Sequence, residues 1–133
     1  MDHVVFSAHV AFEDICIDCA DPWSLGHWWA DMLNYQVRPH SVEDLAALRE
    51  QGIDGPQADP HIAVDPIDEP GQTIWFNQVP EPKTVKNRVH LDVYGNDNEL
   101  LRRGATLIDR REEWTVMTDP EGNEFCVEPG PAQ

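Results

Sequence analysis

The sequence predicts an α+β domain in which one unit is used twice: a strand, a helix and three more strands, the sheets curling around a cleft with the helices outside. Three observations carry this. The stretches Asp14-Ile-Cys-Ile-Asp-Cys-Ala-Asp21-Pro-Trp and His90-Leu-Asp-Val-Tyr-Gly-Asn-Asp97-Asn-Glu each alternate like a strand and then meet an aspartate. In both, a polar residue (Asp14, His90) stands seven positions before the aspartate expected at a helix start (Asp21, Asp97). After each copy come three short alternating segments parted by Gly, Pro and Asp turns.

The elements follow in order. Phe12 to Ala20 has Ile15, Ile17 and Cys19 on one face and Asp14, Cys16 and Asp18 on the other, the period of a half-buried strand. Asp21 is a good N-cap and Pro22 suits the first helical position; Leu25, Trp28, Trp29, Met32 and Leu33 then form one apolar stripe up to Asn34. Tyr35 to Pro39 reads as a short strand. Ser41-Val-Glu-Asp44 opens a helical insert near 41–52 with a capping box, and Gly52 stops it. His61 to Asp65 and Thr73 to Val79 are strands, the second ended by Pro80 and Pro82. The first module thus spans 12–79, and the proline-stiffened segment 80–87 is the linker. The second module, 88–128, repeats the order. It has a strand from Arg88 to Tyr94, a helix capped by Asp97 and ended by Gly104, and strands Ala105 to Asp109, Trp114 to Thr118 and Asn123 to Glu128.

All 133 residues fit one domain of ordinary size. With 25 acidic and 9 basic residues the formal net charge is -16, which repels phosphate backbones and argues against nucleic acid as a partner. No apolar run approaches the roughly 20 residues of a membrane span. Three cysteines (Cys16, Cys19, Cys126), an odd number, and a start without a basic, apolar leader point to free thiols and a cytoplasmic setting.

Alternation also sorts residues by face. Val89, Leu91 and Val93 are expected to meet the helix, leaving Arg88, His90, Asp92 and Tyr94 toward the cleft. By the same rule Asp14, Cys16 and Asp18, then Trp75 and Asn77, then Glu124, Cys126 and Glu128 face it. Asp14, Trp75, Asn77, His90, Asp92, Tyr94 and Cys126 are the candidate ligand-binding residues. Trp75 is suited to stack on a flat molecule, and Arg88 and Asp92 to pair with each other. His90 beside Cys126 has the makings of a thiolate and imidazole pair, against the commoner role of a strand cysteine as a small buried hydrophobe. His9, His27, His40 and His61 show no partner pattern and read as surface or loop residues.

Asp21-Pro-Trp with Trp28-Trp29 and Leu33-Asn-Tyr35, Phe76-Asn-Gln-Val-Pro-Glu-Pro-Lys83, Arg88-Val-His-Leu-Asp92, Gly104-Ala105 and Asp119-Pro-Glu-Gly-Asn-Glu-Phe-Cys126 together resemble the vicinal oxygen chelate superfamily. That superfamily contains the glyoxalases, extradiol dioxygenases and bleomycin-resistance proteins, and the similarity is closest to its glyoxalase-like branch. The resemblance spans Phe12 to Glu128 and implies the paired-module fold. It also implies a cleft in which metal-dependent members hold a divalent ion with His or Gln, Glu, His and Glu from the first, fourth, fifth and eighth strands. Those places are held here by Asp14, Asn77, His90 and Cys126, of which only His90 is of the usual type.

A set of Asp, Asn, His and Cys suits a hard ion badly, whereas zinc accepts Asp14, His90 and Cys126 as carboxylate, imidazole and thiolate. Cys16 and Cys19 have zinc-motif spacing, but strand alternation turns them to opposite faces. The expected function is therefore a glyoxalase-like protein that binds a small, partly apolar molecule in a cleft lacking the usual metal set. The alternative is a lyase, isomerase or dioxygenase of the superfamily that works with an atypical metal site or with His90 as general base. Pairing of the two modules within one chain and a homodimer in which they exchange between chains are both compatible with the sequence.

Overall fold

The computed structural model describes residues 8–130. Its strands are β1 (Ile15–Cys19), β2 (Tyr35–Val37), β3 (His61–Pro66), β4 (Ile74–Gln78), β5 (Leu91–Tyr94), β6 (Thr106–Arg110), β7 (Thr115–Thr118) and β8 (Glu124–Glu128). Helices α1 (Pro22–Leu33), α2 (Val42–Glu50) and α3 (Asp97–Arg102) complete it, with a 3-10 turn at Pro56–Ala58. The α+β class and the twice-used unit hold: one sheet runs β1-β4-β3-β2, the other β5-β8-β7-β6. In each, the first strand pairs parallel with the fourth, and the third strand lies antiparallel beside it. A parallel pair needs a long crossover, which the helix and the two intervening strands supply.

Local chemistry starts and stops these elements largely where the sequence predicts. Asp21 accepts the Ser24 N–H at 3.2 Å, Pro22 opens α1, and Asn34 ends it in the left-handed region at φ 57°. Ser41 and Asp44 form the expected capping box. Two predictions are corrected. The strand predicted from Arg88 begins at Leu91, and Val89, expected to face the helix, is 84% exposed. The cap of α3 is Asn96, whose side chain accepts the Glu99 N–H at 3.0 Å, and not Asp97. Asp97 is the first helical residue, and its carboxylate accepts Thr115 Oγ1 (2.8 Å) and Arg110 Nε (3.1 Å). Those two donors, Thr115 first, hold its carboxyl below the usual range. The duplicated phrases thus differ by one residue in where the helix is capped.

Helix α1 joins the halves. Leu25, Gly26 and Ala30 seat it on the first sheet, where a Cβ added at Gly26 would lie 3.1 Å from Ile62 Cγ2. Only glycine lets helix and sheet approach this closely. On its other flank Trp29, 2% exposed, packs edge-on against Phe125 of β8 at 5.0 Å between ring centroids, and Trp28 meets the same ring at 6.2 Å. Ile74 and Phe76 from the first sheet and Met117, Phe125 and Val127 from the second thereby fall in one core cluster with Leu25 and Trp29.

Trp29 also donates its Nε1–H to Asp119 Oδ2 at 2.9 Å, and Asp119 is 2% exposed. The other oxygen of Asp119 takes the N–H groups of Glu121 and Asn123 at the β7–β8 turn. Losing a donor to a buried carboxylate costs about 1–3 kcal/mol. Trp29→Phe, which keeps the ring packing, is therefore expected to lower unfolding stability by about that much in urea titration. Trp28→Phe removes only the exposed bond from Nε1 to the Arg103 carbonyl and is expected to cost less.

Candidate functional site

With α1 and α3 on one side, each sheet leaves its other face open. On the first sheet that face carries Trp75 and Asn77 of β4 and, just before β1, Asp14. Trp75 Nε1 donates to Asp14 Oδ2 at 3.1 Å, and Gln72 Nε2 lies 3.4 Å from Asp14 Oδ1. The Arg38 guanidinium stands 5.2 Å from the Trp75 ring centroid and grips Asp65 with two bonds of 2.8 Å. That grip holds the Asp65 carboxyl below its usual range and pushes the Arg38 guanidinium up. Helix α2 overhangs this face and closes a cavity of about 330 Å³ lined by Arg38, His40, Asp44, Leu48, His61 and Trp75.

Two histidines without a sequence pattern prove to be part of this wall. His40 Nε2 lies 2.8 Å from Asp59 Oδ2, and their side chains are only 13% and 14% exposed. Asp59 Oδ1 accepts the His61 N–H at 2.9 Å, and His61 Nδ1 meets Asn77 Oδ1 at 2.9 Å. His27 likewise has a partner, the Trp23 carbonyl. His40 and Asp59 come from the loops before α2 and before β3, where there is no periodicity to read. The short Pro39-His40-Ser41 entry into a capped helix was the one local signal.

On the second sheet, β5 and β8 run parallel in a register that sets Asp92 beside Cys126, with His90 just before β5. His90 Nδ1 is 3.1 Å from Asp92 Oδ1, and one donor atom from each of His90, Asp92 and Cys126 lies within 4.8 Å of the others. Asp92 thus pairs with His90 and not, as expected, with Arg88. Tyr94 shares the strand but is 71% exposed. Burial, and then the charge of Asp92, raises the Cys126 thiol pKa, which favours the commoner role of a strand cysteine, a small hydrophobe, over the thiolate half of an imidazole pair. Cys19, buried near Glu121 and Asp21, is pushed up to about 12, while Cys16 is exposed; all three cysteines are free.

The structure therefore pairs Asp14 with Trp75, Asn77 with His61, and His90 with Asp92 and Cys126. Among the described residues no hydrogen bond joins the first-sheet group to the second-sheet one. Asp14 and Asn77 are committed to partners on their own sheet, and the four places that the resemblance assigns to a metal include an amide and a thiol. These four residues do not accommodate the superfamily's usual hard ion.

The linker is tied down beside the site. Glu124 accepts the Asn87 N–H at 3.0 Å and meets Lys83 Nζ at 3.1 Å. These bonds, the Asn87 N–H above all, hold its carboxyl at about 2 against an ordinary 4.5. A second cavity of about 470 Å³ opens where the linker passes β1, lined among others by Cys16, Asp18, Lys83 and Arg88. Because the folded pKa of Glu124 is depressed, its contribution is present above the unfolded value and is lost as pH falls through 4.5 toward 2. Glu124→Gln is expected to be less stable than the wild type at neutral pH and to lose less on acidification to about pH 3, measured by urea midpoint at both pH values.

Comparison with known proteins agrees with this architecture. Residues 14–128 match the family model of the glyoxalase-like domain. No protein of curated function matches the chain. It is similar to a glyoxalase/bleomycin resistance protein/dioxygenase family enzyme from Burkholderia phytofirmans PsJN, with 18% identity, a TM-score of 0.57, and coverage of 86% of this chain and 94% of that one. It is also similar to a variant of the fosfomycin resistance protein FosX from Listeria monocytogenes, complexed with Mn(II) and 1S,2S-dihydroxypropylphosphonic acid (10%, TM-score 0.59, 91% and 90%). A third similar structure is FosX from Mesorhizobium loti (10%, TM-score 0.58, 91% and 92%). At these identities the structures speak for the fold alone, whereas the family model covers most of the chain: it belongs to the glyoxalase-like domain family.

Proposed function

We propose that this chain is a small-molecule-binding protein that takes a flat, partly apolar ligand over Trp75, in the cavity between α2 and the first sheet. The observation that carries the reading is Trp75 itself, a half-buried indole in a cavity of ligand size whose polar wall is already fixed by Arg38–Asp65 and His40–Asp59. Pockets that hold small molecules are concave and combine an apolar floor with a few oriented polar groups. Arg38 over the ring is the group a stacking ligand would displace or extend.

The reading is tested with a panel of small aromatic and aliphatic compounds scored by thermal shift, followed by calorimetric titration of any hit. A specific ligand raises the melting temperature as RT ln(1 + [L]/Kd). Its affinity is expected to fall about tenfold or more in Trp75→Ala, roughly the worth of one aromatic contact. A hit that binds Trp75→Ala as well as wild type, or a panel in which nothing stabilises the protein, goes against the reading.

A second reading, a lyase, isomerase or dioxygenase with His90 as general base, is favoured by one observation: Asp92 sits 3.1 Å from His90 Nδ1, where a carboxylate orients an imidazole. On this reading His90→Ala would keep ligand binding and lose turnover. The two readings draw on different open faces, one on each sheet. A cleft walled by Trp75 and Asn77 together with His90 and Cys126 would be completed by a second copy of the chain. A homodimer is therefore expected, and light scattering after size exclusion should give twice the chain mass at micromolar concentration.

A further inference from the structure

The cavity between α2 and the first sheet has walls whose hydrogen-bonding sense is fixed by bonds made outside it. Asp59 Oδ1 accepts the His61 N–H at 2.9 Å, so this carboxylate meets His40 as an acceptor, and His40 Nε2 carries the proton of their 2.8 Å bond. In the neutral ring that leaves Nδ1 with a lone pair and no hydrogen. Nδ1 has no partner among the described residues, where no unpaired side-chain nitrogen or oxygen is buried, so it stays open to the cavity that His40 lines. His61 is set in the same way: its Nδ1–H donates to Asn77 Oδ1 at 2.9 Å, and Nε2 is the acceptor that remains. Asp44 spends Oδ2 on the Ser41 N–H, leaving Oδ1 as a third acceptor. The donor on this wall is Arg38, which binds Asp65 through Nε and Nη2 and keeps Nη1 unpaired among the described residues.

We propose that the ligand of this cavity is a neutral planar heterocycle with ring N–H groups beside a carbonyl, as in cyclic imides and ureas; the proposal rests on the reading of that cavity as a ligand site. Each part of the class answers a feature of the wall. The flat ring stacks on the Trp75 indole, an N–H donates to His40 Nδ1, and the carbonyl accepts from Arg38 Nη1. An anion is disfavoured by the formal net charge of -16, and a cation by the Arg38 guanidinium 5.2 Å from the Trp75 ring centroid. A cavity of about 150 Å³ holds a benzene ring, so about 330 Å³ admits a six-membered heterocycle with a substituent. A ring without the N–H leaves His40 Nδ1 desolvated and unpaired, which is how a polar site rejects an analogue of the same shape.

The test compares uracil and hydantoin with their N-methylated counterparts, which keep the ring and carbonyls and lack the N–H; benzoate and benzylamine are the charged controls. Binding is followed by ligand-observed NMR up to millimolar concentration and then by calorimetry. The N–H compounds are expected to bind, the methylated ones at least tenfold more weakly, and the charged ones without saturation. Asp59→Asn offers an amide N–H to His40 Nε2 and so admits the other tautomer. It is expected to lower the preference for N–H over N–CH3 at least threefold, whereas a purely structural role of Asp59 would weaken both members of each pair alike. Circular dichroism checks that the variant is folded; if it is not, the methylation series on the wild type decides. Methylated compounds that bind as well as their parents, or a preference that folded Asp59→Asn leaves unchanged, would overturn the proposal. So would Trp75-dependent binding confined to another class of compound, and in all three cases the cavity over Trp75 stands as a ligand site. Only a protein that no compound of any class stabilises overturns both.

Discussion

The hydrogen bond from Trp29 to Asp119 is the constraint on which the rest of this structure depends. A buried carboxylate must find donors, and Asp119 has three kinds: an indole from α1, the two backbone N–H groups of its own turn and the Asn123 side-chain amide. The same residue therefore shapes the β7–β8 turn and anchors the helix of the first module to the second. Gly26 works from the opposite flank by letting α1 settle onto the first sheet. With the helix fixed on both sides, the helix-facing residues of two sheets share one core, and neither module has to be stable alone.

That arrangement settles what remains for function. Each sheet spends one face on the core, so its other face is free to carry polar and aromatic residues that would be costly inside. On the first sheet these residues are tied to each other in pairs: Asp14 with Trp75, Arg38 with Asp65, His40 with Asp59, His61 with Asn77. On the second, the parallel strand pair brings together His90, Asp92 and Cys126. The four residues that the resemblance points to, Asp14, Asn77, His90 and Cys126, thus lie on two different sheets, and the chemistry of each face has to be considered by itself.

Much of the fold was legible in the sequence because it rests on short-range rules. The Asp21 cap, the Ser41 capping box and the left-handed Asn34 are set by residues within four positions of each other. The opposite faces of Cys16 and Cys19, one exposed and one buried, follow from strand alternation alone. Errors came where a local rule had two solutions. Asn96 and Asp97 are both good caps, and the tertiary bonds from Thr115 and Arg110 to Asp97 left Asn96 to cap the helix. Val89 continues the alternation of β5, but the strand ends its pairing with β8 at Leu91 and no helix reaches Val89.

The candidate site was legible as a set of faces and not as a set of contacts. The sequence by itself determined the repeated strand-helix-three-strand unit, the caps, and the side of each strand on which Asp14, Trp75, Asn77, His90, Asp92 and Cys126 stand, since alternation and capping act over a few residues. Only the tertiary structure decided their partners. Asp92 meets Cys126 because of the β5–β8 register, His40 meets Asp59 because two loops converge beneath α2, and Trp29 meets Asp119 because α1 lies against the second sheet. Such pairings depend on how distant segments pack, and no periodicity within one segment encodes them.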